Sequence, residues 1–99
     1  MFGKKKPWDY NTTGEKIDSV LRDYRTDEKV LKKVIKKEPE MIVKVHAANA
    51  LFSLKQLPDN PLALTTCLIG DVGLSETEAR QLLQAIGDLY LEMERQGRV

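Results

Sequence analysis

Apolar residues recur at every third or fourth position in successive segments of this chain, which is the spacing of one face of an α-helix. The clearest runs are Ile17, Val20, Leu21 and Tyr24, then Val30, Leu31, Val34 and Ile35, then Ala79, Leu82, Leu83, Ile86, Tyr90 and Met93. Nowhere between turn signals do four or more residues alternate between apolar and polar types as a separate segment, as a half-buried strand requires. The sequence therefore predicts an all-α fold.

Capping residues and prolines divide this pattern into about five short helices. Thr12 with Glu15, and Ser75 with Glu78, have the spacing of a capping box, in which side chains bond the free N–H groups of a helix start. The segment 58–61, Pro-Asp-Asn-Pro, is the clearest break. We predict five helices, over residues 13–25, 27–38, 39–57, 61–69 and from 76 to about Gly97. Thr26 is the predicted N-cap of the second helix.

A chain of 99 residues suffices for one domain and not for two. We expect residues 12–99 to form a compact bundle around the third helix, whose apolar residues cover more than one face. Residues 1–11 are expected to be a flexible tail, because a basic run at Lys4–Lys6 precedes Pro7. Docking of Trp8 and Tyr10 on the helices stays open, since large aromatic side chains seldom remain solvated.

The chain has one cysteine and one histidine, which offers little material for a metal site or a catalytic group. His46 and Cys67 lack the spacing of zinc ligands, so we expect a buried thiol and a core or boundary imidazole. The glycines form neither a phosphate loop nor a dinucleotide-binding motif. The sequence predicts no metal, no cofactor and no catalytic residue, and a chain that is not an enzyme.

The cellular location is predicted from the absence of membrane-spanning and signal segments in the sequence. No apolar stretch approaches the ~18–20 residues of a transmembrane helix, and no apolar region follows the basic residues 1–6, as a secretory signal requires. We expect no membrane span and a cytoplasmic protein.

Charge is distributed unevenly along the chain. Residues 1–58 carry thirteen basic and eight acidic residues, whereas residues 59–99 carry three basic and seven acidic ones. The second predicted helix concentrates positive charge on a lysine face formed by Lys29, Lys32, Lys33, Lys36 and Lys37. That face could meet phosphates or an acidic protein surface, or it could be only the solvated back of a helix. The basic and acidic halves could likewise orient a partner or face each other within one fold.

One segment, at about 62–86, resembles the helix-turn-helix of bacterial repressors. Gly73 and Leu74 match the turn, and Ala79 and Leu82 match two buried positions of its second helix. The resemblance implies a small nucleic-acid-binding regulator whose second helix reads DNA. The sequence departs from that pattern at Ile69, where a small residue is usual, and at the start of the second helix. There Glu76 and Glu78 would be repelled by phosphates, so a plain helical hairpin is the preferred interpretation.

These observations favour a non-catalytic protein–protein interaction module that binds itself or an acidic partner. Well-capped amphipathic helices are present, and residues such as Leu89 and Leu91 lie off the main apolar face of the last helix. Extra apolar surface of this kind often covers a second copy. We predict a homodimer contact through Leu82, Ile86, Leu89 and Met93 of the last helix, with the nucleic-acid-binding regulator as the alternative.

Overall fold

The computed structural model describes residues 12–97, and within that range it is all-α, which confirms the predicted fold class. The helices are α1 (Thr13–Arg22), α2 (Glu28–Lys37), α3 (Met41–Leu54), α4 (Pro61–Thr66) and α5 (Glu76–Arg95), with a π-helical segment, Cys67–Val72, between the last two. The tail predicted for residues 1–11 lies outside the described range.

The predicted capping boxes are present at both α1 and α5. Thr12 and Glu15 exchange hydrogen bonds at the first, and Ser75 and Glu78 at the second, each side chain accepting from the other residue's backbone N–H. The cap predicted at Thr26 is wrong by one position. Asp27 caps α2 instead, because its carboxylate accepts a hydrogen bond from the Val30 backbone N–H at 3.2 Å.

The third helix is the centre of the bundle, as the sequence predicts. It packs against α1, α2 and α5, and apolar side chains are buried over most of its circumference, leaving one face with the exposed residues Asn49 and Ser53. Its buried residues are Val43, Val45, Ala47, Ala48, Ala50, Leu51 and Phe52. Its partners contribute Val20 from α1, Leu31, Val34 and Ile35 from α2, and Ala79 and Leu82 from α5.

The predicted helix over 61–69 is wrong only in its last three residues, because the α-helix ends at Thr66 and the chain widens into the π-helical segment. The wider turn keeps Cys67, Leu68 and Val72 buried while Ile69 stays partly exposed. Gly73 ends the segment with a φ of 93°, a left-handed conformation that glycine adopts without strain. The backbone N–H groups of residues 73 and 74 then donate to the Leu68 carbonyl at 3.1 and 3.0 Å.

A buried ion-pair cluster that the sequence analysis missed joins the start of α1 to the connection between α2 and α3. The Lys16 ammonium donates to Glu38 at 2.9 Å and to Glu40 at 3.2 Å, and the Thr13 hydroxyl also donates to Glu40. Lys16 is 3 % exposed and Glu38 is 2 % exposed. The hydrogen bond to Glu38 is the main reason that the pKa of Lys16 is raised above its ordinary value. The Lys16 ammonium is therefore stabilised by its carboxylate partners in the interior.

Candidate docking surface

The last helix divides into two halves with different environments. In the first half, Ala79 and Leu82 are buried, and the helix packs on α3, α4 and the π-helical segment. From Ile86 onward no α5 residue is fully buried within the part of the chain that the structure describes. Tyr90 and Leu91 are 55 % and 59 % exposed, and they are among the most exposed large apolar side chains of the described residues.

A groove runs beside this second half of α5. It has a volume of about 690 Å³, and we call it the α5 groove. Its lining consists of Asn49 from α3, Asp59 from the connection between α3 and α4, and Ile86, Gly87, Leu89, Tyr90, Leu91 and Met93 from α5. The groove thus has a mainly apolar floor on α5 and polar groups on the opposite wall.

A second, smaller cavity adjoins the groove at the end of α3. We call it the linker cleft, because residues 56–59 of the α3–α4 connection form one wall. Its volume is about 310 Å³, and its apolar lining comes from Phe52, Leu57, Pro58, Leu64 and Ile86. The cleft and the groove share Asn49, Asp59 and Ile86, so they form one continuous depression between three elements.

The homodimer contact predicted from the sequence needs one correction. Leu82 is 1 % exposed and packs in the core, so it has no surface to offer a partner. Ile86, Leu89 and Met93 line the α5 groove and are partly exposed. Tyr90, placed by its spacing on the same stripe as Leu82, instead points outward, because α5 extends beyond the elements that cover its first half.

The five lysines of α2 do not form one uniform face. The Lys32 ammonium lies 2.8 Å from the Glu28 carboxylate. The Lys36 side chain lies close to Gly73, since a Cβ added to that glycine would be 3.4 Å from the Lys36 Nζ. The exposed residues Lys29, Lys33 and Lys37 follow each other at four-residue intervals, which places them along one ridge of the helix. Four of the five lysines of the predicted polyanion face are therefore exposed, Lys36 among them, whereas Lys32 is half-buried and paired with Glu28 of its own helix.

Part of the charge asymmetry between the two halves of the sequence is used inside the fold. The Lys55 ammonium lies 3.3 Å from Glu28 and 3.4 Å from Asp71 of the π-helical segment. At the start of α5, the hydrogen bond from the Ser75 backbone N–H is the largest cause of the lowered pKa of Glu78, and the positive charges of Lys44 and Lys36 lower it further. Basic residues of α2, of α3 and of its C-cap thus lie close to acidic residues of the π-helical segment and of α5.

The segment 62–86, on which the helix-turn-helix resemblance rests, consists of most of α4, the π-helical segment, a turn at Gly73 and the first half of α5. Gly73 makes the left-handed turn, and Leu74, Ala79 and Leu82 are buried beneath it. The start of α5, however, presents Glu76 and Glu78 to solvent. The first turn of α5 therefore carries exposed carboxylates, which phosphates would repel.

The lone histidine and cysteine lie apart from the docking surface. His46 is half-buried on α3, and burial lowers its pKa. Cys67 is 4 % exposed, as expected for a buried thiol, and burial is the main cause of its raised pKa. Within residues 12–97, no three His, Cys, Asp or Glu side chains lie close enough together to hold a metal ion. None of the helices in that range is long and apolar enough to cross a bilayer.

Comparison with known proteins identifies no relative: no family model, curated protein or solved structure matches this chain.

Proposed function

We propose that this chain is a non-catalytic interaction module that forms a homodimer through the second half of α5. The observation that carries the proposal is the exposure of Tyr90 and Leu91 directly beside the apolar α5 groove. Large apolar side chains next to an apolar depression are typical of contact surfaces, because burying both releases water from apolar area.

The shape of this surface favours a second copy as the partner. A twofold interface uses the same patch on both subunits, so the patch must carry both a projection and a depression. Here the exposed side chains of Tyr90 and Leu91, which line the groove, supply the projection. The less exposed lining at Ile86, Leu89 and Met93 supplies the depression. When two copies meet in antiparallel fashion, the projection of each helix can enter the groove of the other.

The size of the patch indicates how much of the molecule must take part. The segment 86–93 covers about 12 Å of helix at 1.5 Å per residue. Interfaces of ordinary size bury roughly 800 Å² per partner, which one face of two helical turns does not supply. The α3 wall of the groove at Asn49 must therefore be covered as well.

The native mass of the chain tests the proposal. Light scattering at ~100 μM should give a mass well above the 11.3 kDa of one chain, falling toward that value on dilution. Leu91→Glu should give a monomer, since a carboxylate would be desolvated in the interface. Leu62→Glu is the matched control, because Leu62 is 77 % exposed on α4 and should leave the mass unchanged. A monomer at that concentration, or a mass that Leu91→Glu leaves unchanged, would contradict the proposal.

A small nucleic-acid-binding regulator is the second candidate. The observation that favours it is the packing of Gly73, Leu74, Ala79 and Leu82 in a compact helical hairpin. Any binding should fall steeply with salt and weaken when lysines of α2 are replaced. A labelled duplex titrated at ~50 mM salt tests it, with Lys33→Ala to remove an exposed α2 charge and Arg80→Ala to remove a donor at the start of α5. The absence of any retardation would exclude this candidate.

A further inference from the structure

The linker cleft lacks a covering side chain among the residues that the structure describes, and its dimensions suit a single large one. Its volume of about 310 Å³ lies at the lower end of the ~300–1,000 Å³ typical of ligand pockets. Phe52, Leu57, Leu64 and Ile86 provide an apolar lining for an aromatic ring, while Asp59 stands at its edge. Such a cleft selects a short segment in which an aromatic residue lies next to positive charge.

Residues 1–11 of this chain have that composition. The segment carries Lys4, Lys5 and Lys6 against a single acidic residue, and Phe2 precedes the lysines by two positions. The cleft carries the opposite charge, since Asp59 is the one ionisable side chain among the described residues that line it. The two are therefore complementary in charge as well as in apolar character.

The length of the segment decides which aromatic residue can enter. The segment joins α1 at Thr12, and the next residue, Thr13, bonds Glu40 at the start of α3. From Glu40 to Phe52 the helix rises about 18 Å, at 1.5 Å per residue. Ten residues of flexible chain have an average end-to-end distance of roughly 17–19 Å, so Phe2 spans that gap without strain. Trp8 is only four residues from Thr12, so its Cα lies at most ~14 Å away even in a fully extended chain, whereas the Cα of Phe2 reaches the cleft without full extension.

We propose that the linker cleft is an intramolecular docking site for the N-terminal segment, with the Phe2 ring among Phe52, Leu57 and Leu64 and the lysines of residues 4–6 beside Asp59. This inference goes beyond the proposed dimer and does not depend on it. The docked segment covers the edge of the depression that the α5 groove continues.

Tryptophan fluorescence of the full chain tests the proposal, because Trp8 is the only tryptophan. A second version of the chain carries Trp8→Phe together with Phe2→Trp, which moves the single indole from position 8 to position 2. The indole at position 2 should emit at shorter wavelength than Trp8 of the native chain. Its quenching by acrylamide should be roughly twofold slower or more, since a ring in the cleft loses at least half of its solvent contact. Equal emission and quenching at the two positions would overturn the proposal.

Charge-reversal variants locate the docked segment without disturbing the core. In the position-2 reporter, Asp59→Lys should restore fast quenching, because it places a positive charge beside the lysines. Asp23→Lys is the control, since Asp23 is an exposed carboxylate at the end of α1, and it should change nothing. If both reversals act alike, or if neither acts, the assignment to the linker cleft fails.

Dilution separates this proposal from the dimer. Docking within one chain is independent of concentration, whereas docking on a second copy weakens as the protein is diluted. The emission of the position-2 reporter should therefore stay constant from ~100 μM to ~1 μM, even where light scattering shows the dimer dissociating. An emission shift that follows the native mass would place the segment on the partner and overturn the intramolecular assignment.

Discussion

The two longest helices, α3 and α5, are buried in different ways. The first has 14 residues, of which seven are buried, while the second has 20 residues, of which only Ala79 and Leu82, both in its first half, are buried. A helix whose buried residues cover most of its circumference uses its apolar side chains for the core, so its sequence mainly determines the fold. An amphipathic helix that is longer than its neighbours carries apolar residues past the core, where they serve contacts outside the fold.

The largest expected effect comes from the centre of α3. Leu51→Ala removes a side chain with no exposed surface and leaves a cavity, so it should lower the free energy of unfolding by about 2–5 kcal/mol. Tyr90→Ala in the second half of α5 should change it by less than ~1 kcal/mol in the monomer. Urea unfolding at low protein concentration measures both. Similar losses at the two sites would remove the distinction between the helices.

The second-largest loss of stability should come from the buried ion-pair cluster around Lys16. Lys16→Ala leaves the buried Glu38 carboxylate without the Lys16 charge, which costs far more than losing a surface ion pair. Arg22→Ala is the matched control on the same helix, since its pair with Asp18 is exposed on both sides. Thermal unfolding should show a melting temperature several times more reduced for Lys16→Ala than for Arg22→Ala. Equal reductions would show that the cluster contributes no more than a surface pair.

The same cluster predicts how stability depends on pH. The hydrogen bond from the Thr13 hydroxyl, and then those from Lys16, lower the pKa of Glu40 below its ordinary value of 4.5. The stability that Glu40 contributes is therefore present above that value and is lost as the pH falls through the lower, folded-state pKa. The pKa of Lys16 is raised above 10.5, so its contribution is complete below that value and is lost as the pH rises through the folded-state pKa.

Glu40→Gln isolates the acid side of this dependence. The variant should be less stable than the native chain near neutral pH, and its loss of stability below about pH 4.5 should be shallower. Urea unfolding measured from about pH 3 to pH 8 compares the two curves. If the curves are parallel, the Glu40 carboxylate has the same pKa in the folded and unfolded chains.

A substitution at the start of α5 should give a smaller loss of stability, and it tests how the first half of that helix is held. Ser75→Ala removes the side-chain cap that accepts from the Glu78 backbone N–H, and it should cost about 1 kcal/mol. Ser53→Ala is the control, because Ser53 is exposed on α3 and caps no helix. Urea unfolding measures both, and a negligible loss at Ser75 would mean that the first half of α5 is held by packing alone.

Much of the fold could be predicted because its signals are local. Helix periodicity and the two capping boxes depend on residues three or four positions apart, so the sequence shows them directly. The π-helical segment could not be predicted in this way, because the widened turn depends on how Leu68 and Val72 meet the core. The Lys16 cluster did leave a signal. Lys16 precedes the buried Val20 by four positions, which places it on the inner face of α1.

The candidate site was predicted only in part, since periodicity does not show where the core ends. Ile86, Leu89 and Met93 share one stripe with Leu82, and nothing local distinguishes the covered part of that stripe from the uncovered part. The distinction follows from the placement of α3, α4 and their connection beside α5. Asn49 and Asp59 join the groove for the same reason, as they are distant from α5 in sequence.

Amide hydrogen exchange along α5, measured at two protein concentrations, tests the division of this helix most directly. At ~1 μM, amides around Ala79 and Leu82 should exchange slowly, and amides from Leu89 to Met93 should exchange fast. At ~100 μM, only the second group should gain protection, while α3 stays unchanged. Protection that is uniform along α5 and independent of concentration would contradict the assignment of its second half to self-association.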